Sequence, residues 1–66
     1  MKNNLRVERA IKDITQEDLS KQIGVTRQAI NSIELGKYVP STVLALKLSK
    51  YFGKTVNEIF SLEDTD

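Results

Sequence analysis

The 66-residue chain contains no cysteine, no histidine and no tryptophan, and it has one proline and three glycines. Without cysteine there is neither a disulfide framework nor a thiolate metal site, and without histidine the commonest metal ligand and general base are missing. The carboxylates are scattered singly, so the sequence offers no acid and base pair for a catalytic centre. We therefore expect no enzyme, no metal, no cofactor and no small-molecule ligand.

Long apolar runs are also missing. The N-terminal stretch MKNNLRVERAIKD carries charges throughout and lacks the apolar segment, about 7 to 15 residues long, of a signal peptide. No run approaches the roughly 18 apolar residues of a membrane span. We expect a soluble cytoplasmic protein with a single domain, residues 1–66, near the lower size at which a chain folds unaided.

Negative charge is concentrated at the C-terminal end. The net charge is +1, but Glu63, Asp64 and Asp66 fall in the last four residues, so residues 1–62 carry ten bases against six acids, a balance of +4. A basic surface is therefore available on the body of the chain, although the overall composition is not strongly basic.

Apolar spacing and capping residues predict an all-α fold of five short helices. The predicted ranges are 4–13, 16–23, 27–35, 42–52 and 56–60. The expected N-caps are Thr15, Thr26, Ser41 and Thr55, and the expected C-terminal glycines are Gly24, Gly36 and Gly53. Helices this short, joined by loops of a few residues, must pack as a compact globule with crossed axes.

The two ends of the chain are less regular. In the first helix Val7, Ala10, Ile11 and Ile14 have the spacing of one apolar face, which leaves Leu5 off that face. The final SLEDTD is either a frayed acidic tail or a short edge strand, and in the second case it pairs with MKNNL in a small sheet.

The stretch QEDLSKQIGVTRQAINSIELGK, residues 16–37, predicts two helices that meet at a sharp corner. Only GVT separates them, and a glycine in so short a connection is typical of a helix-turn-helix. Ser20 is small where the helices approach closely, and Val25 fills the corner. Four apolar residues face one another across the pair: Leu19, Ile23, Ile30 and Ile33.

The segment TQEDLSKQIGVTRQAINSIELGKYVPS resembles the helix-turn-helix of the Cro and phage-repressor (Xre) family, and the resemblance extends over about residues 5–60. It rests on the motif at residues 16–35, the ending IE-x-GK-x-x-P and the upstream RAIKDITQ. The chain is most similar to short stand-alone bacterial repressors, although Ser20 stands where the family usually has alanine. The resemblance implies a five-helix DNA-binding domain of the phage-repressor type, with or without a small terminal β-hairpin.

Residue roles follow from this resemblance. The third helix, about residues 27–35, is expected to enter the major groove of double-stranded DNA. The expected base-reading residues are Thr26, Arg27, Gln28, Asn31 and Ser32. The expected phosphate contacts are Gln16, Lys21, Lys37 and Tyr38. Arg9 and Glu34 match family positions that form an ion pair between the first and third helices.

The fourth helix has apolar residues on more than one face, a surplus that often marks an interface. We expect a homodimer that reads an inverted repeat, with an interface that includes Leu44, Tyr51, Val56 and Phe60. The function expected is that of a sequence-specific transcriptional regulator, acting as a repressor on an operator. Two alternatives stay open: a protein-interaction module, such as an antitoxin or adaptor with the same fold, and a small enzyme.

Overall fold

The computed structural model describes all 66 residues and contains five α-helices and one two-stranded sheet. In chain order the elements are β1 (Lys2–Asn3), α1 (Leu5–Lys12), α2 (Gln16–Ile23), α3 (Arg27–Glu34), α4 (Thr42–Phe52), α5 (Val56–Ile59) and β2 (Phe60–Ser61). The five predicted helices and the all-α fold class are confirmed. The bounds of α2 and α4 are as predicted, α3 and α5 end one residue earlier than predicted, and α1 is shorter than predicted by one residue at each end.

Side-chain caps start four of the helices. Thr15, Thr26, Ser41 and Thr55 each accept a hydrogen bond from the main-chain N–H three residues further on. At α2 and α5 the cap is reciprocal, because the Asp18 and Glu58 carboxylates accept the N–H of Thr15 and Thr55, each at 3.0 Å. Those main-chain hydrogen bonds lower the pKa of Asp18 and of Glu58 below the ordinary carboxyl values.

The core collects one or more apolar side chains from every helix. Its ten members are Leu5, Leu19, Ile23, Ile30, Ile33, Leu44, Leu48, Phe52, Ile59 and Phe60. Helix α2 packs mainly against α3, and α4 lies against α2 and α5. Ser20 is the one buried polar residue, and its hydroxyl donates to the Glu17 carbonyl at 2.7 Å, so the close approach of α2 and α3 leaves no unpaired polar atom.

The predicted apolar face of the first helix is wrong for the three residues that lie within α1, although Ile14, which follows the helix, packs against the core. Val7 and Ile11 are 57% and 71% exposed, whereas Leu5, the residue expected to lie off the face, is fully buried. The reason is tertiary: Arg9, one turn after Leu5, pairs with Glu34 of α3, and this contact turns the polar side of α1 inward. Apolar periodicity therefore identified the helix but not the side that packs.

Two residues of the expected dimer interface also belong to the core. Leu44 is 7% exposed and Phe60 is 6% exposed, so neither has much surface to offer a partner. Leu44 follows Ser41 by three residues and lies on the same side of α4 as Leu48, which is fully buried. Tyr51 and Val56 are half-buried and pack against the core from its edge.

The two chain ends form the small sheet. Strands β1 and β2 are antiparallel, with Lys2 opposite Ser61 and Asn3 opposite Phe60, so the start of the final segment is an edge strand. The sheet joins remote segments and is not a hairpin in the strict sense. The Asn3 side-chain amide donates to the Ile33 carbonyl at 2.8 Å, which fastens the sheet to the end of α3. No helix is both long and apolar enough to cross a membrane.

Candidate nucleic-acid interface

The corner between α2 and α3 is built from three residues. Gly24 has φ +85°, the left-handed conformation that glycine adopts without a Cβ penalty, and its N–H donates to the Ser20 carbonyl at 2.8 Å. The Val25 N–H donates to the same carbonyl at 3.0 Å. The Thr26 hydroxyl then caps α3 by accepting the Ala29 N–H at 3.1 Å. These three residues therefore end α2, reverse the chain and start α3, as the sequence predicted.

Helix α3 has one buried face and one polar face. Ile30 and Ile33 are essentially fully buried against the core. On the opposite side, positions i, i+1, i+4 and i+5 from Arg27 line one continuous polar face, made of Arg27, Gln28, Asn31 and Ser32. Arg27 and Gln28 are exposed and their side chains have no partner within the protein, so their hydrogen-bonding groups are free for an external ligand.

A groove of about 310 Å³ borders one side of this polar face. It is lined by Thr26, Gln28, Ala29, Ser32, Lys37 and Tyr38. The loop after α3 is held back against the helix, since the Lys37 N–H donates to the Ser32 carbonyl at 2.9 Å. An ammonium and a phenol therefore lie beside the exposed end of α3, where no carboxylate lines the groove.

A hydrogen-bonded network borders the other side. The Gln16 amide donates to Asn31 Oδ1 at 3.0 Å and to Glu34 Oε1 at 3.2 Å. Glu34 in turn accepts from Arg9 Nε at 2.6 Å and from Arg9 Nη2 at 3.0 Å, and Arg9 Nη1 donates to the Ile14 carbonyl at 3.1 Å. The network ties α1, the start of α2 and the C-terminal half of α3 together.

The ion pair at the centre of this network is secluded from solvent. The side chains of Arg9 and Glu34 are 15% and 6% exposed, and the hydrogen bonds that Arg9 donates to the Glu34 carboxylate raise the pKa of Arg9. Two parallel N–H to carboxylate bonds fix the relative orientation of the helices as well as neutralising the acid. The negative charge of Glu34 is thereby neutralised next to the polar face, where an unpaired carboxylate would repel an anionic ligand.

The four expected phosphate contacts are not equivalent in the structure. Lys37 and Tyr38 lie beside the polar face, as described. The Gln16 side chain has both amide hydrogens engaged by Asn31 and Glu34, so its main-chain N–H at the start of α2 is the donor left for an anion. Lys21 is exposed but belongs to neither the groove nor the network, and its assignment has no structural support.

Sequence reasoning missed the contact between Gln16 and Asn31. Gln16 was expected only as a phosphate contact, and nothing in the spacing of two residues on different helices indicates that their amides meet. The pairing depends on the angle between α2 and α3, which the turn sets and which no local pattern encodes.

Two helices joined by a tight glycine corner, with a free polar face on the second, define a helix-turn-helix protein. The helix-turn-helix family model matches residues 5–59. The chain is 52% identical over the full length of both proteins to an uncharacterized HTH-type transcriptional regulator of Methanocaldococcus jannaschii. It is 45% identical over 64 residues, 97% of each chain, to a second uncharacterized regulator, YgzD, from Bacillus subtilis.

A further similarity, 40% identity over 53 residues, is to the HTH-type transcriptional activator BcrR of Enterococcus faecalis. It covers 80% of this chain and 26% of BcrR. The chain belongs to the Xre-type helix-turn-helix family of transcriptional regulators.

Proposed function

We propose that this regulator binds double-stranded DNA in a sequence-specific manner, as a homodimer on an inverted-repeat operator, and represses transcription by occupying that operator. The observation that carries the proposal is the free polar face of α3, bordered on one side by Lys37 and Tyr38 and on the other by the start of α2. Binding alone accounts for this function, and no catalytic step is required.

The polar face suits direct readout of base edges in the major groove. Arg27 can donate two hydrogen bonds to guanine O6 and N7, and Gln28 can pair with adenine N6 and N7. Asn31 differs, because its Oδ1 already accepts from Gln16, which leaves its NH₂ group as the free end. We therefore expect Asn31 to act as a donor to a purine N7 or to a carbonyl acceptor, while Thr26 and Ser32 contribute hydroxyl contacts.

Selection of bound duplexes from a random pool tests this proposal first. It yields the operator and the half-site spacing together, and an inverted repeat with half-sites about 34 Å apart, one helical turn, is expected. Affinity for the selected site should exceed that for random duplex and fall steeply with salt, because phosphate neutralisation releases counterions. A dissociation constant that is insensitive to salt and equal for random duplex refutes the proposal.

Variants then separate base reading from phosphate contact. Arg27→Ala combined with Gln28→Ala should reduce specific affinity about 30-fold or more while leaving the affinity for random duplex largely unchanged, since each bidentate pair contributes about 1 to 3 kcal/mol of discrimination. Lys37→Ala should weaken all duplexes alike and reduce the salt slope by about 1. The matched control is Lys54→Ala, an exposed lysine outside the interface, which should change neither quantity.

The proposed dimer uses a surface that differs from the one expected from sequence. Val39, Val43, Leu46 and Leu62 are all more than half exposed. Beside them is an apolar groove of about 240 Å³. Its lining consists of Met1, Val39, Pro40, Thr42, Ala45, Leu46, Val56 and Phe60. Of the expected interface residues, Val56 and Phe60 line this groove, although Phe60 is only 6% exposed. Leu44 is buried, and Tyr51 lines a different groove.

The dimer is tested by light scattering at micromolar concentration. Leu46→Asp should shift the protein to monomer and weaken operator binding, because it introduces a charge into the apolar groove. Ile11→Asp, at an apolar residue of α1 that is 71% exposed against 57% for Leu46, is the control and should leave the dimer intact. A wild-type protein that stays monomeric on its operator contradicts the proposal.

Repression is the part of the proposal that needs a cellular assay. A reporter driven by a promoter containing the selected operator should rise when Arg27 and Gln28 are replaced by alanine. The opposite response identifies an activator, the activity named for BcrR. If the selection returns no duplex at all, the alternative of an antitoxin or adaptor becomes the better reading of the fold.

A further inference from the structure

A second charged surface lies on the flank of α4 away from the apolar groove. It is an open groove of about 530 Å³ between the end of α2 and α4, and we call it the basic groove. Its lining consists of Gln22, Ile23, Lys47, Lys50 and Tyr51. It shares no residue with the groove beside α3 or with the apolar groove, so neither the proposed DNA interface nor the proposed dimer interface uses it.

The positive charge of this surface is not compensated. Between Glu34 and Glu58 the chain has four lysines, at positions 37, 47, 50 and 54, and no acidic residue. The ion pairs of the structure involve Arg9 and the N-terminal ammonium, so neither Lys47 nor Lys50 has a carboxylate within 4.0 Å. Such a cluster attracts an anionic partner from solution.

A third ammonium approaches from α1. Lys12 Nζ lies 5.0 Å from the centroid of the Tyr51 ring, within the range of a cation–π contact. The Tyr51 ring also packs edge-on against Phe52, with centroids 5.1 Å apart. Tyr51, which lines the basic groove together with the two lysines of α4, is therefore held in place by Lys12 and Phe52.

We propose that the basic groove docks an acidic, extended segment of a partner protein. Lys47 and Lys50 are three residues apart on one helix face, about 5 to 6 Å between their Cβ atoms. Alternate side chains of an extended chain are separated by about 6.6 Å, so two acids with one residue between them match the two ammoniums. A following apolar residue on the same side of the segment then meets Tyr51.

The shape of the groove favours a protein segment over a small ligand. Small-molecule sites usually enclose most of the ligand surface, whereas this groove is open along the protein exterior. Because the basic groove contains no residue of the polar face of α3 or of the groove beside it, we expect the partner to bind while the regulator occupies DNA. The regulator then brings an acidic protein to its operator, a role that goes beyond occupancy.

The test uses the full-length ¹⁵N-labelled protein without DNA. The probe is a blocked peptide of sequence GESESLG, and the control peptide GQSQSLG has the same length without charge. We expect GESESLG to shift the amide signals of Gln22, Lys47, Lys50 and Tyr51 with saturable dependence on concentration. Lys47→Gln combined with Lys50→Gln should weaken binding about fivefold or more, from the loss of two exposed ion pairs, while Lys54→Gln should change it less than about twofold.

Several outcomes overturn the proposal. Equal affinity of the double variant for GESESLG, or shifts centred on Arg27 and Lys37, shows that the peptide binds elsewhere. Identical shifts with inorganic phosphate at the same affinity show a general anion site. Loss of random-duplex affinity in the double variant as large as that of Lys37→Ala shows a DNA surface. Shifts of the same residues that grow with protein concentration alone show docking of the acidic tail of a second copy.

Discussion

Replacing Arg9 with methionine should destabilise the protein severely, because it leaves the Glu34 carboxylate secluded and almost without partners. Glu34 is 6% exposed, and after the change it retains only the Gln16 amide at 3.2 Å. Removing one member of a secluded ion pair typically costs about 3 to 5 kcal/mol. Methionine keeps much of the side-chain volume, so most of this cost should come from the unpaired charge.

The magnitude can be separated from packing by a double-mutant cycle. Glu34→Leu should cost less, about 2 kcal/mol, because Arg9 is 15% exposed and keeps the Ile14 carbonyl at 3.1 Å. The double variant should lose only about 1 kcal/mol, since an apolar pair needs no compensation. The two changes are then coupled by about 4 kcal/mol or more, the amount by which the sum of the single losses exceeds the loss in the double variant.

Urea unfolding followed by circular dichroism at 222 nm measures these differences. For a chain of 66 residues the total stability is roughly 3 to 10 kcal/mol, so the Arg9 variant should have a midpoint near or below the start of the wild-type transition, with an unchanged slope. A loss below about 1 kcal/mol for Arg9→Met, with no coupling in the cycle, refutes the reasoning: it means that solvent reaches Glu34.

Three further predictions concern the glycine turns, the turn at Asp13 and the helix caps. Gly24→Val should lower the free energy of unfolding in urea by about 2 kcal/mol because φ is +85°, and it should weaken operator binding by tilting α3. The control is Gly53→Val, with φ +66° at the end of α4, which should cost as much stability without weakening binding. Equal losses of operator binding in the two variants contradict this prediction. Asp13→Gly should raise stability by about 0.5 to 1 kcal/mol, since Asp13 is the one non-glycine residue with positive φ (+55°); an unchanged melting temperature contradicts it. Stability should fall as pH drops below about 4, because folding lowers the pKa of Asp18 and of Glu58. The two capping carboxylates stabilise the fold fully at a pH above their unfolded-state pKa, and this stabilisation is lost as pH falls through their folded-state pKa. Asp18→Asn should flatten the dependence of the melting temperature on pH, and an unaltered curve counts against the capping contribution.

Local signals in the sequence predicted the helices well. Thr15, Thr26, Ser41 and Thr55 are caps whose hydrogen bonds involve residues three positions away, and such contacts are readable from spacing. Glycine at the αL positions is likewise a local requirement. The left-handed turn at Asp13 was not foreseen, because aspartate adopts that conformation only occasionally and gives no clear signal.

Faces and contacts between helices were predicted less well. The inner side of α1 depends on where Glu34 meets Arg9, and the burial of Leu44 and Phe60 depends on how α4, α5 and the sheet close over the core. Those are tertiary facts, and single-helix periodicity does not contain them. The paired positions Arg9 and Glu34 came instead from family resemblance, which carries tertiary information implicitly.

The hydrogen bond from Gln16 to Asn31 has a consequence for anyone who wishes to retarget this regulator to a new operator. Arg27 and Gln28 have no partners inside the protein and can be randomised one at a time in a library. Asn31 cannot be varied alone in the same way, because its replacement removes the acceptor of one Gln16 amide hydrogen bond. The Gln16 side chain, which also donates to Glu34, would then have to rearrange. A useful library would therefore vary positions 16 and 31 jointly, because the two side chains together determine which hydrogen-bonding group is presented to the DNA.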